Sequence, residues 1–218
     1  MGIQYWVGMK QDEESVDVAV HLLQKIFNTK VVVVSLNKHF QDGMSISQVK
    51  EEIKKEFERK LNDGFNIVVA HSTGASLYLS ISSEKQAEKV IFLSPAMKPI
   101  NIMQMWKYKS RGKGENYKKF TFRDIMAVYR YAFSARKSVS NLVGIPTLII
   151  QAAKDEYVQQ NGSINLQKKL LKIDKSNSHL HQFHLINGEH DLIHEKVSRD
   201  QTLQLIIDFI LKLDKNNI

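Results

Sequence analysis

Short, uninterrupted apolar runs alternate along the chain with longer segments whose apolar residues recur every three or four positions, which predicts strands and helices in turn. Gly2-Ile-Gln-Tyr-Trp-Val-Gly8 reads as a first strand, and Asp12 to Phe27 as a helix with Val16, Ala19, Val20, Leu23 and Phe27 on one stripe. Asp12 is placed to cap that helix, with Glu13 and Glu14 in its first turn. Val31-Val-Val-Val-Ser35 is a second strand, and its all-apolar composition predicts burial on both faces. Ser45 with Gln48 three residues on forms a capping box; the helix it opens turns Val49, Ile53, Phe57 and Leu61 inward and ends at Asn62-Asp-Gly64.

Ile67 to Ala70 is a third strand, followed by a helix from about Thr73 to Ser83, and Val90 to Leu93 is a fourth strand closed by Ser94-Pro95. The alternation then breaks. Ala96 to Asn141 has no strand pattern, is rich in Met, aromatics and Lys, and predicts an insert that is helical around Ile102 to Lys109 and Arg123 to Ala135. Pro146 to Gln151 is strand five, Asn161 to Ile173 a helix, Leu180 to Ile186 strand six, and Lys196 to Leu213 a final helix with Leu203, Ile206, Ile207 and Ile210 inward. Strands separated by helices imply right-handed crossovers, hence an α/β protein whose sheet of about six mostly parallel strands carries helices on both faces. The expected organisation is a single domain over residues 1–218 with the insert at approximately 96–141.

Functional groups in such sheets gather past the carboxyl ends of the strands. Three polar features stand there in the order Ser, Asp, His: Ser72, Asp155 in Gln151-Ala-Ala-Lys-Asp-Glu-Tyr-Val158, and His190 in Asn187-Gly-Glu-His-Asp191. Ser72 sits at the apex of a strand–turn–helix junction, where the residues two before and two after must be small for strand and helix to approach. Ala70 and Gly74 meet that need, so the Gly-x-Ser-x-Gly pattern reads here Ala70-His-Ser-Thr-Gly74. Singly, each residue has a plain structural explanation: a loop serine, a capping aspartate, a surface histidine. Together they make a nucleophile, a base that takes its proton, and a carboxylate that fixes the base's tautomer. Asp191 adjoins His190 and competes for the acid's role, but a neighbour in sequence cannot easily reach the distal side of the same imidazole; Glu156, next to Asp155, stays open as an alternative on the residues alone.

In these motifs the chain resembles the α/β-hydrolase superfamily, and looks like the small bacterial carboxylesterases that are close to bacterial monoacylglycerol lipases. The resemblance implies Ser72 as nucleophile, His190 as general base, Asp155 as its orienting carboxylate and the Thr73 backbone amide as one oxyanion donor. It implies that the insert is a cap and that the protein is a serine esterase, cleaving carboxylic esters of short to medium acyl chains through an acyl-serine and without a cofactor. Monoacylglycerol lipase is the nearest variant. Many members end the first strand with His-Gly-aromatic, which places a second oxyanion amide after the glycine. Here the residues are Val7-Gly8-Met9, which puts Met9 in that position, and the following Lys10-Gln-Asp-Glu-Glu14 lacks the glycines common there.

Composition narrows the chemistry further. With 218 residues, 43% of them hydrophobic, the chain can build a sizeable core. It has no cysteine, which excludes thiolate nucleophiles, disulfides and cysteine metal sites and suits a reducing cytoplasm. Neither a cleavable leader pattern nor an apolar stretch near the ~20 residues of a membrane span is seen, so a cytoplasmic protein is expected. Five of the eight histidines, His179, His181, His184, His190 and His194, lie within sixteen residues. His179 and His181 would share a strand face, and His190 and His194 a helix face, a geometry conceivable for metal. No carboxylates obviously converge on it, and no metal is expected.

Between Lys98 and Lys137 eleven Lys and Arg face only Glu115 and Asp124, a local balance of +9 within a formal net charge of +8. The bland account is a solvated basic surface; the functional one is attraction of an anionic substrate or surface. That gives a second reading, a weakened hydrolase fold whose basic insert binds an anionic partner. Nucleic acid is not expected, because the basic residues match no recognition motif. A small-molecule ester is the expected substrate, and the protein is expected to be a monomer or homodimer.

Overall fold

Every strand of the sheet is parallel to its neighbours, and in the central strands residues alternate between two buried faces. In the computed structural model, which describes residues 1–8, 13–35, 44–81, 86–98 and 122–214, six strands form one sheet. They are β1 (Ile3–Trp6), β2 (Val31–Val34), β3 (Ile67–His71), β4 (Lys89–Leu93), β5 (Thr147–Ala152) and β6 (His181–Ile186). Their order is β2-β1-β3-β4-β5-β6. The chain runs outward from β1 to β2, then crosses back to place β3 on the other side of β1. The crevice at such a reversal is where this class of sheet receives ligands.

The helices described are α1 (Glu13–Phe27), α2 (Ile46–Asn62), α3 (Thr73–Ser80), α4 (Phe122–Lys137), α5 (Gln160–Ile173) and α6 (Lys196–Asp214). Two cores follow from the two-residue period of the strands. Val68, Ala70, Val90, Phe92 and Ile149 face α2, α3, α4 and α5. Ile67, Val69, Ile91, Leu93, Leu148 and Ile150 face Ala19 and Leu23 of α1 and Ile206, Phe209 and Ile210 of α6. Trp6, Phe57 and Tyr78 pack edge to face in the first core, with centroids 5.4–5.8 Å apart, and such pairs contribute about 0.5–1.5 kcal/mol each beyond their buried area. Lys89 enters the sheet buried, and its Nζ donates to the Ile210 carbonyl (2.7 Å) in the last part of α6. Among the described residues no helix is long and apolar enough to cross a membrane.

The capping box is present: Gln48 N–H donates to Ser45 Oγ (3.3 Å) and Ser45 N–H to Gln48 Oε1 (2.8 Å). The chain leaves α2 through Gly64 at φ +84°, as Asn62-Asp-Gly64 requires. Helix α4 answers the expectation for Arg123 to Ala135, whereas Ile102 to Lys109 and the cap Asp12 lie outside the described residues.

Three expectations are corrected. The all-valine β2 is not buried on both faces: among the described residues it is an edge strand paired with β1 alone, and Val33 is 40% exposed. Phe209 rather than Ile207 completes the inner stripe of α6, because the helix is set with 206, 209 and 210 toward the sheet. His179 is an exposed residue of a short 3-10 turn, Ser178–Leu180, not a member of β6, and His190 to His194 precede α6 rather than forming helix. The pairing of those histidines on shared faces therefore does not arise.

His181 instead opens β6 beside Asp174, with both side chains buried and 3.0 Å between Nε2 and Oδ2. Asp174 also accepts from the Gly144 amide (2.6 Å) and Asn177 Nδ2 (2.9 Å), so one carboxylate ties the entries of β5 and β6 together at the amino end of the sheet. The Gly144 amide holds its pKa below the ordinary carboxylate value against the opposing effect of burial, with Asn177 and His181 adding to the lowering. A depressed folded-state pKa gives stability that is present above the unfolded value of about 3.9 and lost as pH falls through the folded one. Urea denaturation should therefore show Asp174→Asn well below wild type at pH 7, with the gap narrowing below about pH 4. A gap that is constant down to pH 3 would refute this role for the carboxylate.

Candidate active site

The site grows from the end of β3. Its last residues, Ala70 and His71, are fully or nearly fully buried, and the chain must turn at once into α3. Ser72 makes that turn at φ +52°, ψ −120°, a conformation that L-residues avoid and that costs on the order of 1–3 kcal/mol. Backbone hydrogen bonds hold it there: Ser72 N–H donates to Leu93 O (2.9 Å), and Ser72 O accepts from Ala96 N–H (3.0 Å) and Ala75 N–H (3.2 Å). Gly74 is required by proximity, since a Cβ there would lie 2.5 Å from the Trp6 carbonyl oxygen and 2.9 Å from that of Val7. A Cβ on Gly8, just past β1, would come within 3.1 Å of Ser72 Cβ and 3.2 Å of His71 Nδ1.

Ser72, His190 and Asp155 form a continuous hydrogen-bonded row. Ser72 Oγ lies 2.8 Å from His190 Nε2, and His190 Nδ1 lies 2.8 Å from Asp155 Oδ2. Asp155 is buried to its side-chain tip, and its Oδ1 accepts from the amides of Tyr157 and Val158, both at 2.9 Å. Burial by itself would raise its pKa. The His190 imidazole and the two amides outweigh that and hold the carboxyl below its usual value, so Asp155 is ionised. An ionised carboxylate only accepts, so His190 Nδ1 carries the proton and Nε2 presents a lone pair to the serine hydroxyl. It is Asp155, not Asp191, that meets the imidazole.

Thr73 is buried at the first position of α3, where backbone amides have no intrahelical acceptor, so its N–H is available in kind to an oxyanion beside Ser72. Met9, the other expected donor, lies outside the described residues. Among the described residues no three His, Asp or Glu side chains are grouped to hold a metal ion.

Two polar supports escaped the sequence reading. His71 Nε2 lies 3.1 Å from the His190 carbonyl oxygen, with the two rings 4.9 Å apart between centroids. Burial pushes its pKa down, with Asp191 opposing and His190 reinforcing the shift, so the neutral ring donates its Nε2–H to that carbonyl. Gln151, fully buried at the end of β5, donates to Asp155 Oδ2 (3.1 Å). Gln151 was legible in kind as a polar residue inside a segment otherwise read as buried strand, and His71 as a polar residue directly after one, since buried polar groups must find partners.

By sequence the chain matches no protein-family model and no curated protein. By shape it has the α/β-hydrolase fold, shared with a solved α/β-hydrolase fold protein of unknown function (TM-score 0.62, 16% identity, covering 99% of this chain and 88% of that one). The monoacylglycerol lipase of Paleococcus ferrophilus superposes with a TM-score of 0.68 at 12% identity, over 96% of this chain and 93% of its own. The enol-lactonase of Burkholderia xenovorans LB400 does so with 0.63 at 11%, over 95% and 90%.

The closeness of α3 to β1 can be tested at Gly74. Gly74→Ala must displace either the helix or the backbone of Trp6 and Val7, and overpacking of this kind costs about 1–3 kcal/mol. Thermal denaturation should show a clearly lowered Tm, and an unchanged Tm would mean that the turn relaxes freely.

Proposed function

We propose that the protein is a serine hydrolase that cleaves carboxylic esters of short to medium acyl chains through an acyl-Ser72 intermediate. The observation that carries this reading is the unbroken row from Ser72 to His190 to the buried, ionised Asp155, built on a strained turn at the carboxyl edge of the sheet. Ser72 Oγ attacks the ester carbonyl while His190 Nε2 takes its proton, and Asp155 stabilises the imidazolium. The carbonyl π pair moves to oxygen, where the Thr73 amide, and by family position Met9, would receive it. Collapse expels the alcohol, which takes the proton from Nε2. Water then attacks the acyl-serine by the same route, releasing the acid and restoring the serine.

The insert at 96–141 is proposed to cap this site. The lipolytic and lactone-cleaving activities named for proteins of the same shape agree with hydrolysis of an ester bond; the choice of carboxylesterase rests on the motif resemblance. Monoacylglycerols of graded length against p-nitrophenyl esters would separate the lipase variant from the esterase.

A second reading has its own observation. On α4, Phe122 and Phe133 are 64% and 56% exposed among exposed Arg130, Arg136 and Lys137, with Lys137 Nζ 4.3 Å from the Phe133 ring centre. Apolar tips among cations suit an anionic lipid surface. Retention on anionic liposomes that disappears with moderate salt is the expected result, and indifference to the liposomes would end this reading.

For the principal reading, intact protein treated with a fluorophosphonate should gain the mass of one phosphonyl group, and Ser72→Ala should gain none. Asp155→Asn should keep the fold by circular dichroism yet lose about 10⁴ in kcat on an activated ester, by parallel with a protease triad, whereas Asp191→Asn should lose far less. Wild-type kcat/KM should rise with pH through one ionisation and then level off, because the base must be neutral. Lack of labelling, or equal labelling of Ser72→Ala, would overturn the serine mechanism.

A further inference from the structure

Behind Asp155 the polar row continues into the protein. Gln151 and Ser163, on β5 and α5, are both fully buried. Ser163 Oγ donates to Gln151 Oε1 (2.6 Å), while Gln151 Nε2 donates to Asp155 Oδ2 (3.1 Å) and to the Ala152 carbonyl (3.1 Å). Both partners of Nε2 can only accept, so the amide can face one way only, and the serine hydroxyl fills the oxygen that is left. A strand interior rarely spends a buried amide and a buried hydroxyl on each other unless the chain they form ends on something that needs a donor. Here it ends on Oδ2, the same oxygen that accepts from His190 Nδ1.

We infer that Gln151, oriented by Ser163, is a positioning residue that fixes the Asp155 carboxylate and limits how strongly it draws the His190 proton. With the two amides of Tyr157 and Val158 on Oδ1, the carboxylate is met from both sides and cannot rotate without breaking a bond. The donor on Oδ2 shares that oxygen's charge. Losing it leaves a more basic oxygen opposite the imidazole, and a charged imidazole becomes better stabilised. Among the described residues, His71 from β3, Tyr157 (ring centroid 5.2 Å away) and the adjacent Asp191 are titratable groups that lie around His190, while Gln151 bonds to Asp155, the Ala152 carbonyl and Ser163.

The inference rests on the proposed role of the Ser72–His190–Asp155 row, but its test does not need turnover. Proteins labelled with nitrogen-15 histidine would be titrated by NMR, reading His190, with the exposed His179 as an internal reference. Gln151→Met should move the His190 midpoint up by roughly half a unit to one unit, because the carboxylate then lacks that donor. Ser163→Ala should move it in the same direction by less. A merely structural Gln151 would lower Tm in these variants and leave the His190 midpoint where it was, and that result overturns the inference. Should Gln151→Met not fold, Ser163→Ala still decides it. Failure of fluorophosphonate labelling in wild type would sink the serine mechanism while leaving this titration result standing on its own.

Discussion

The rest of the molecule is arranged around one close approach, the seating of α3 on the end of β1. A helix that starts one residue after a buried strand, and whose second residue has no room for a Cβ against the Trp6 carbonyl, leaves the intervening residue a single path. That path is the left-handed turn at Ser72. Its strain is carried by the apolar burial of Ala75, Leu77 and Leu79 and by the backbone bonds from Ser72 to Leu93, Ala75 and Ala96. Once the hydroxyl is fixed at the crevice between β1 and β3, the ends of β5 and β6 lie on the same edge and bring an acid and a base to it. The chemistry is assembled by the sheet, which explains how residues 118 positions apart in the chain meet at hydrogen-bonding distance.

What was legible in the sequence divides along the range of the forces involved. Helices α2 and α6 announced themselves through apolar spacing, and the Ser45 cap through two residues that contact each other, because these are local effects. The turn at Ser72 was legible for the same reason: smallness at positions 70 and 74 is a local demand with a geometric cause. Sheet edges are not local. Val33 and its neighbours read as doubly buried because nothing in a run of valines says how many strands lie beyond it. Gln151 read only as a strand residue and His71 only as part of the turn, because their partners, Asp155 and the His190 carbonyl, are set by the turns that follow β5 and β6. The histidine cluster misled in the same way, since spacing suggested shared faces while the backbone placed His179 in a turn and gave His181 to Asp174.

The likeness to known structures shows how little sequence a fold of this kind needs. At 11–12% identity, a lipase and an enol-lactonase keep the same path over nearly the whole chain. What persists is the layering, which any apolar residues of suitable period can satisfy, so shape alone says little of the bond that is cut. Function has to be read from polar geometry. In this chain that geometry is unusually complete on the acid's side, where Asp155 meets two backbone amides, an imidazole and a carboxamide.

The three groups do not share equally in the rigidity of the scaffold. Ser72 follows β3, which is flanked by β1 and β4, whereas His190 follows β6, a border strand paired only with β5 and carrying Leu185 at 49% exposure. Border segments of a fold open at lower free energy than its interior. An excursion that frees β6 and α6 would disperse the row while the turn at Ser72 stayed intact, so the row depends on the margin of the sheet as well as on its centre. Protection of the β6 amides against hydrogen exchange, set beside that of β3, is the quantity that would report this margin.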